Sequence, residues 1–109
     1  MKLKEKFYNS DRRMILNAIC DMAEIQRGKS IFSDPGTGDA GYIFNGENLE
    51  HEYLFKVEES PEGCLIKLWT RDCEDDRIID RAFFLLDYLL RETVSNIEEK
   101  CIEGGFLNG

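Results

Sequence analysis

The chain has 109 residues, of which 42% are hydrophobic and 33% are charged, and its formal net charge is −8. That length suits one globular domain spanning residues 1–109 and excludes two ordinary ones, and such a domain can bury a core without a metal or a disulfide. Because basic side chains are concentrated in the first 30 residues, most of the surface is acidic and should repel nucleic-acid phosphate and anionic membranes. We therefore expect direct binding to neither, and an acidic surface that keeps the domain in solution or attracts a basic protein.

The cysteines give no sign of a metal site or a disulfide framework. Cys20, Cys64, Cys73 and Cys101 are dispersed without a C-x-x-C pair, and His51 is the only histidine. We expect reduced thiols, no metal and no cofactor. The N-terminus lacks the apolar run of a signal peptide, and no window approaches the roughly 20 apolar residues of a membrane span. A cytoplasmic location is the resulting expectation.

A first helix is predicted over about residues 10–27. Its apolar residues recur at helical spacing from Met14 to Ile25. Asn9 or Ser10 is a candidate N-cap, and Gly28 is a candidate left-handed C-cap. The residues before this helix, 1–8, are expected to be a flexible N-terminus.

The segment from Ser33 to Gly41 is predicted to be the most mobile internal loop, because it combines a proline, three glycines and two acids. Gly36, Gly38 and Gly41 spell the string G-x-G-x-x-G. The dinucleotide fingerprint requires that string between a strand and a following helix. Here a helix precedes the glycines and a strand follows them, so we expect no nucleotide site.

Three strands are predicted after the loop. Residues 42–44 are short and apolar, residues 49–58 alternate between apolar and polar, and residues 64–70 return after a turn. The resulting antiparallel meander has one apolar face for the helices. Its second face carries Leu54, Leu65 and Trp69 among charged residues, so that face is not expected to be wholly hydrated.

The longest helical pattern extends from Asp75 to Cys101. It completes the order α-β-β-β-α, which predicts an α+β fold of two layers, with a three-stranded antiparallel meander and both helices on one face. Residues 104–109 are expected to be a C-terminal tail. The element order resembles that of the double-stranded RNA-binding domain, whose last helix begins with lysines that grip phosphate.

The residues at the start of the last helix do not support RNA binding. An acidic run stands where the RNA-binding family has lysines, so the resemblance covers element order alone and implies no binding residue. The acidic side chains suit the positive end of the helix dipole, and Asp72 is a candidate N-cap. They also form a candidate acidic surface, which consists of Asp72, Glu74, Asp75 and Asp76.

Phe84, Leu85 and Tyr88 lie off the apolar stripe with which the long helix packs on the sheet. The first helix can cover only part of this surplus, so we predict a homodimer through the long helix. The alternative is that the first helix covers all three side chains within the monomer. The candidate interface residues are Phe84, Leu85, Tyr88, Trp69, Phe106 and Leu107.

These features favour a protein-interaction or regulatory domain without catalytic activity. An alternative is an inhibitor that imitates nucleic acid and blocks a basic nucleic-acid-binding protein, as an anti-defence protein or repressor antagonist would. A third hypothesis is a thiol enzyme that uses Cys73 near a helix N-terminus, although the neighbouring acids oppose formation of a thiolate. His51 falls on the apolar side of its strand and is expected to be a packed or interface histidine.

Overall fold

The structure, a computed structural model, describes residues 2–46, 49–71 and 75–91. In chain order, the elements are β1 (Lys2–Tyr8), α1 (Arg12–Ile25), β2 (Lys29–Asp34), β3 (Asp39–Asn45), β4 (Glu50–Ser60) and β5 (Gly63–Arg71). Residues 76–91 are helical and are named α2 here. The fold is therefore α+β.

The strands form one antiparallel sheet of five, in the order β1-β5-β4-β3-β2. Its three central strands, β3, β4 and β5, correspond to the predicted meander. The prediction of a three-stranded sheet is wrong, because β1 and β2 add a strand at each edge. The element order β-α-β-β-β-β-α therefore also departs from the order that resembled the RNA-binding domain.

β1 occupies the segment that was predicted to be a flexible N-terminus. Its lysines explain the error, because the side chains on the helix side of this strand are polar. Lys4 Nζ lies 2.7 Å from Asp80 Oδ1, and Lys6 Nζ lies 2.8 Å from Asp87 Oδ2. These partners come 76 and 81 residues later in the chain. The local sequence therefore lacks the alternation of apolar and polar residues that usually identifies a half-buried strand.

β2 and β3 form a hairpin where a loop was predicted from Ser33 to Gly41. The Gly38 amide donates to the Asp34 carbonyl at 2.8 Å, which closes a turn over residues 35–38. Gly38 has a φ of 80°, and a Cβ there would lie 2.3 Å from the Val57 carbonyl oxygen. The turn thus requires glycine. The mobility of this segment stays a prediction.

The two ends of α1 differ in detail from the expected caps. Asp11, rather than either of the two residues before it, caps the first turn through its carboxylate. After the last turn, the residue with left-handed geometry is Arg27, with a φ of 54°, and not Gly28. Gly28 is needed for space instead, because a Cβ would lie 2.9 Å from the Tyr42 ring.

α1 and α2 share one face of the sheet, called the inner face here. One cluster of buried apolar side chains joins both helices to alternate residues of β3, β4 and β5. Ile15 and Met22 of α1 and Ile79 and Leu86 of α2 are all fully buried in it. No helix in the described ranges is long and apolar enough to cross a membrane.

Candidate functional site

The face of the sheet that points away from the helices, called the outer face here, carries apolar side chains in a line across the strands. Leu3 pairs with Trp69, Trp69 with Leu54, Leu54 with Gly41, and Gly41 with Phe32. These five residues, one from each strand, are named the apolar row. Strands lie about 4.8 Å apart, so the row is about 19 Å long.

The apolar row is continuous and partly exposed. Leu3 is 48% exposed and Phe32 is 47% exposed, while Leu54 and Trp69 are half-buried. A Cβ on Gly41 would lie 2.8 Å from the Phe32 ring, so that ring lies across the glycine and fills the gap in the row. Both α1 and α2 lie on the other side of the sheet and leave the row uncovered.

Other apolar side chains extend the outer face on both sides of the row. Phe7 pairs with Leu65 toward one end of the strands, and Phe7 is 48% exposed. Ile43 lies toward the other end, opposite Glu52. Sequence reasoning placed Leu65 on this face but missed Phe7, because β1 was not predicted. The only signal for it was weak: Leu3 and Phe7 are spaced so that they share one face of a strand, but the charged Glu5 lies between them.

Each of the four cations on the outer face pairs with an acid of the same face, while Glu5 and Asp34 lie outside these pairs. The pairs are Lys67–Glu58 at 3.0 Å, Lys56–Asp39 at 3.2 Å, Arg71–Glu52 at 3.6 Å and Lys29–Glu50 at 2.6 Å. A hydrogen bond with the Thr37 side chain and the nearby Lys56 ammonium both lower the pKa of Asp39. The apolar row is thus flanked by charges that largely neutralise each other, in a chain whose net charge is −8.

α2 presents a second exposed apolar surface, named the helix surface, which consists of Phe84 and Tyr88. Phe84 is 70% exposed and Tyr88 is 52% exposed, so α1 does not cover them. Residues four positions apart are neighbours on a helix. Leu85, the third predicted interface residue on this helix, is half-buried and packs against the core.

The structure separates the remaining predicted interface residues. Trp69 lies on the outer face, so the sheet stands between it and the helix surface. It therefore does not belong to the same contact surface as Phe84 and Tyr88. Phe106 and Leu107 lie outside the described residues.

Two members of the predicted acidic surface fall within the described residues, and Asp72 and Glu74 lie outside them. Asp75 directly precedes α2, and its Oδ1 accepts from the Arg77 amide at 2.9 Å. The Arg77 guanidinium binds the same carboxylate, with Nη2 2.9 Å from Oδ2. Both contacts lower the pKa of Asp75. Asp75 therefore acts as a helix cap that is already paired, while Asp76 is exposed.

A cleft of about 670 Å³ lies at one end of the inner face, between the end of α1, the β3–β4 hairpin and the start of α2. Its walls include Phe44, Tyr53 and Leu85. His51 is 8% exposed and packs on Phe44, with ring centres 5.4 Å apart. The volume of the cleft falls within the range of small-molecule sites. The described lining contains no Ser, Thr, Cys or Lys, so none of the residues that the structure describes provides such a nucleophile beside His51.

Thiols and acids in the described ranges form no group of three or more that could hold a metal ion. Cys20 and Cys64 are free thiols, the first half-buried and the second buried. Burial raises the pKa of Cys64, which disfavours the nucleophilic thiolate. Cys73, the candidate for a thiol enzyme, lies outside the described residues.

Comparison with known proteins supports the fold and assigns no activity. No protein-family model matches this chain, and no curated protein matches its sequence. Among solved structures, the crystal structure of Ara h 8.0201 is similar, with a TM-score of 0.52 and 10% sequence identity, over 86% of this chain and 97% of that chain. At that identity the likeness concerns the arrangement of helices and strands alone.

Proposed function

We propose that this chain is a protein-interaction domain without catalytic activity, acting in the cytoplasm. The observation that carries the proposal is apolar surface left exposed outside a complete core, on the outer face and on the helix surface. Burying one large apolar side chain is worth about 1.5 to 3 kcal/mol. Contact with another protein would recover part of that free energy. Exposed apolar patches of this kind mark interaction sites more often than single scattered residues do.

The partner proposed for the helix surface is a second copy of the chain. Two copies crossing at Phe84 and Tyr88 would make an isologous contact in which each ring covers its equivalent. The exposure of both side chains supports this proposal, because a ring already covered by α1 would gain no further burial from a second copy.

Tyr88→Glu tests the helix contact. A charge in the centre of the contact should convert a dimer into a folded monomer, because each copy would bury an unpaired carboxylate. Sedimentation equilibrium at tens of micromolar measures the mass, and circular dichroism checks the fold. Tyr88→Phe, which keeps the ring, should leave the dimer in place. A wild-type monomer at those concentrations would contradict the homodimer.

The net charge of −8 supports a second candidate, an inhibitor that imitates nucleic acid. Such a protein would bind a basic nucleic-acid-binding partner, and its binding would weaken steeply as salt is added. Docking through apolar side chains would depend only weakly on salt. Capture of binding partners over a series of salt concentrations separates the two functions.

The thiol-enzyme hypothesis draws no support from the described residues. His51, the only histidine, is packed against Phe44 beside a cleft whose described lining has no thiol. Turnover that Cys73→Ser abolishes would establish the enzyme and remove the proposal of a non-catalytic domain.

A further inference from the structure

We infer that a second copy of this chain docks on the outer face, sheet against sheet, with the apolar row at the centre of the contact. The inference rests on the proposed interaction function and concerns a contact separate from the helix surface. Stacked sheets pack face to face about 10 Å apart, with strand directions within about 30° of each other. The area, the charge pattern and the register of the outer face each allow such a pair.

The overlapping part of the outer face is large enough for a weak, reversible interface. In the arrangement described below, β1 extends past the edge of the other sheet, so four strands of each copy overlap. Four strands spaced about 4.8 Å apart cover about 19 Å, and strands of seven to nine residues extend about 24 to 30 Å. The flat area is therefore on the order of 450 to 570 Å², before the relief of the side chains is counted. A standard interface buries about 800 Å² per partner. The helix surface, by contrast, is one helix wide.

The charge pattern of the outer face allows a copy of itself as the partner. Its four cations each pair with an acid of the same face, while two further acids, Glu5 and Asp34, lie outside these pairs. The described residues of this face therefore carry six acids against four cations, a small excess of negative charge in a chain whose net charge is −8. A second outer face can answer part of that excess with its own lysines, which lowers the repulsion between two acidic chains.

The register gives the apolar row a two-fold arrangement that matches large side chains with one another. We place the two-fold axis between the two stacked sheets, parallel to the strands and midway between β3 and β4. It sets β4 of one copy over β3 of the other, and β5 over β2. Leu54 then faces Gly41, which the Phe32 ring covers, and Trp69 faces Phe32. The central contacts would be aliphatic on aromatic and aromatic on aromatic.

The same rotation also matches the charged residues beside the apolar row. Lys67, Lys56, Asp39 and Asp34 lie in register on successive strands. The rotation sets Lys56 opposite Asp39 of the other copy, and Lys67 opposite Asp34.

On the opposite side of the row, the rotation sets two cations face to face. Arg71 lies opposite Lys29 of the other copy. Each keeps an acidic partner on its own sheet, Glu52 for Arg71 and Glu50 for Lys29. This local repulsion is therefore offset within each copy.

Trp69, the only tryptophan of the chain, reports on this contact directly. Sedimentation equilibrium and tryptophan emission are measured over the same dilution series. If copies pair through the outer face, the emission maximum moves to longer wavelength as the mass falls, because Trp69 becomes hydrated. A dimer through the helix surface would dissociate without changing the emission. A wild-type monomer up to about 100 µM overturns the inference.

Leu54→Glu places a carboxylate in the middle of the apolar row of each copy. We expect the dissociation constant to rise at least about 100-fold, with the Trp69 emission shifted as in the diluted wild type. Leu54→Met is the matched control and should keep the dimer. Phe32→Lys is a second variant on an edge strand, for use if Leu54→Glu does not fold by circular dichroism.

The helix-surface variant Tyr88→Glu distinguishes the two contacts. A dimer that persists in Tyr88→Glu and dissociates in Leu54→Glu supports the inference. The reverse result overturns it. If the protein is a monomer that still binds a protein partner, the inference is overturned but the proposed function stands. If it is a monomer and neither surface contributes to any binding, both the inference and the proposed function are overturned.

Discussion

The two faces of the sheet are built from alternate residues of the same strands, yet their apolar side chains differ in exposure. On the inner face, Tyr53 and Leu68 are completely buried beneath α1 and α2. On the outer face, Leu3 and Phe32 are each about half exposed. In β3, β4 and β5 the buried inner positions carry no Lys, Arg, Asp or Glu, whereas the outer positions mix apolar and charged residues. Composition therefore favours the inner face for the helices, and the apolar residues of the outer face stay partly exposed because α1 and α2 both lie on the other side.

The polar atoms of the two faces differ in the same way. On the inner face, the Tyr53 hydroxyl donates to the Ile78 carbonyl, and the Tyr42 hydroxyl donates to the Gln26 side chain. These bonds tie the sheet to α2 and to the end of α1. On the outer face, polar side chains pair in contact with solvent, where an ion pair is worth about 1 kcal/mol or less. The inner face is thus a finished core, and the outer face has free energy still to gain by contact.

The largest expected effect is the difference in the free energy of unfolding between a truncation on the inner face and one on the outer face. Leu68→Ala should lower the free energy of unfolding by about 2 to 5 kcal/mol, because it opens a cavity in the core. Leu54→Ala should cost about 1 kcal/mol or less in the monomer, since Leu54 is half-buried and both described helices lie on the other side of the sheet. Denaturant unfolding at low protein concentration measures both. Equal losses would show that the two faces are equally packed.

A smaller effect tests the hydrogen bonds of the inner face. Tyr53→Phe should lower the free energy of unfolding by about 1 to 2 kcal/mol, because it removes the buried donor to the Ile78 carbonyl. Tyr8→Phe is the matched change at the sheet edge, where the hydroxyl donates to Asp87 at 2.5 Å and the ring is half-buried. We expect a smaller loss there. Unfolding curves with the same slope against denaturant would show that both variants keep the native fold.

The attachment of β1 to α2 provides the next comparison. Asp87 accepts from both Lys6 and Tyr8, whereas Asp80 accepts from Lys4 alone at an exposed site. Asp87→Asn should therefore cost about 1 kcal/mol, and Asp80→Asn about 0 to 0.5 kcal/mol. Hydrogen exchange of the β1 amides should become faster in Asp87→Asn. Unchanged exchange would indicate that pairing with β5 alone holds the strand.

Sequence periodicity predicted the central strands and the helices because their apolar residues meet partners through regular spacing. It failed at the two edges for separate reasons. β1 turns lysines toward α2, and their acidic partners are distant in the sequence. β2 contains an irregularity in its pairing between Lys29 and Phe32, followed by a turn rich in glycine. Neither edge therefore shows the alternation that identifies a strand.

The candidate surfaces were predictable to the same extent as the elements that form them. Phe84 and Tyr88 could be identified because they lie off the apolar stripe of a single helix. The apolar row could be seen only in part, through Leu54 and Trp69, because its ends belong to β1 and β2. Its continuity depends on the register of five strands. A single sequence read by local pattern does not contain that register.

Alkaline pH should test the inner face, because burial raises the pKa values of Tyr8 and Tyr42 well above the usual value of about 10. Above that pH, the unfolded chain loses protons that the folded chain keeps. The free energy of unfolding should therefore fall as the pH rises beyond about 10. Tyr8→Phe should reduce the steepness of that fall. A stability that is flat between pH 10 and 11 would contradict the burial of these hydroxyl groups.

Lowering the pH should test the outer face, and we expect the change in stability there to be the smallest. The pKa of Asp39 is lowered by its hydrogen bond with the Thr37 side chain and by the Lys56 ammonium. An acid with a lowered pKa contributes stability above its unfolded value of about 3.9, and that contribution is lost as the pH falls through the folded value. Asp39→Asn should remove a small part of the acid-dependent loss, because the group is exposed and water screens the pair. If copies pair through the outer face, where Lys56 would also meet Asp39 of the other copy, the same substitution should weaken dimerisation at neutral pH more than it destabilises the monomer.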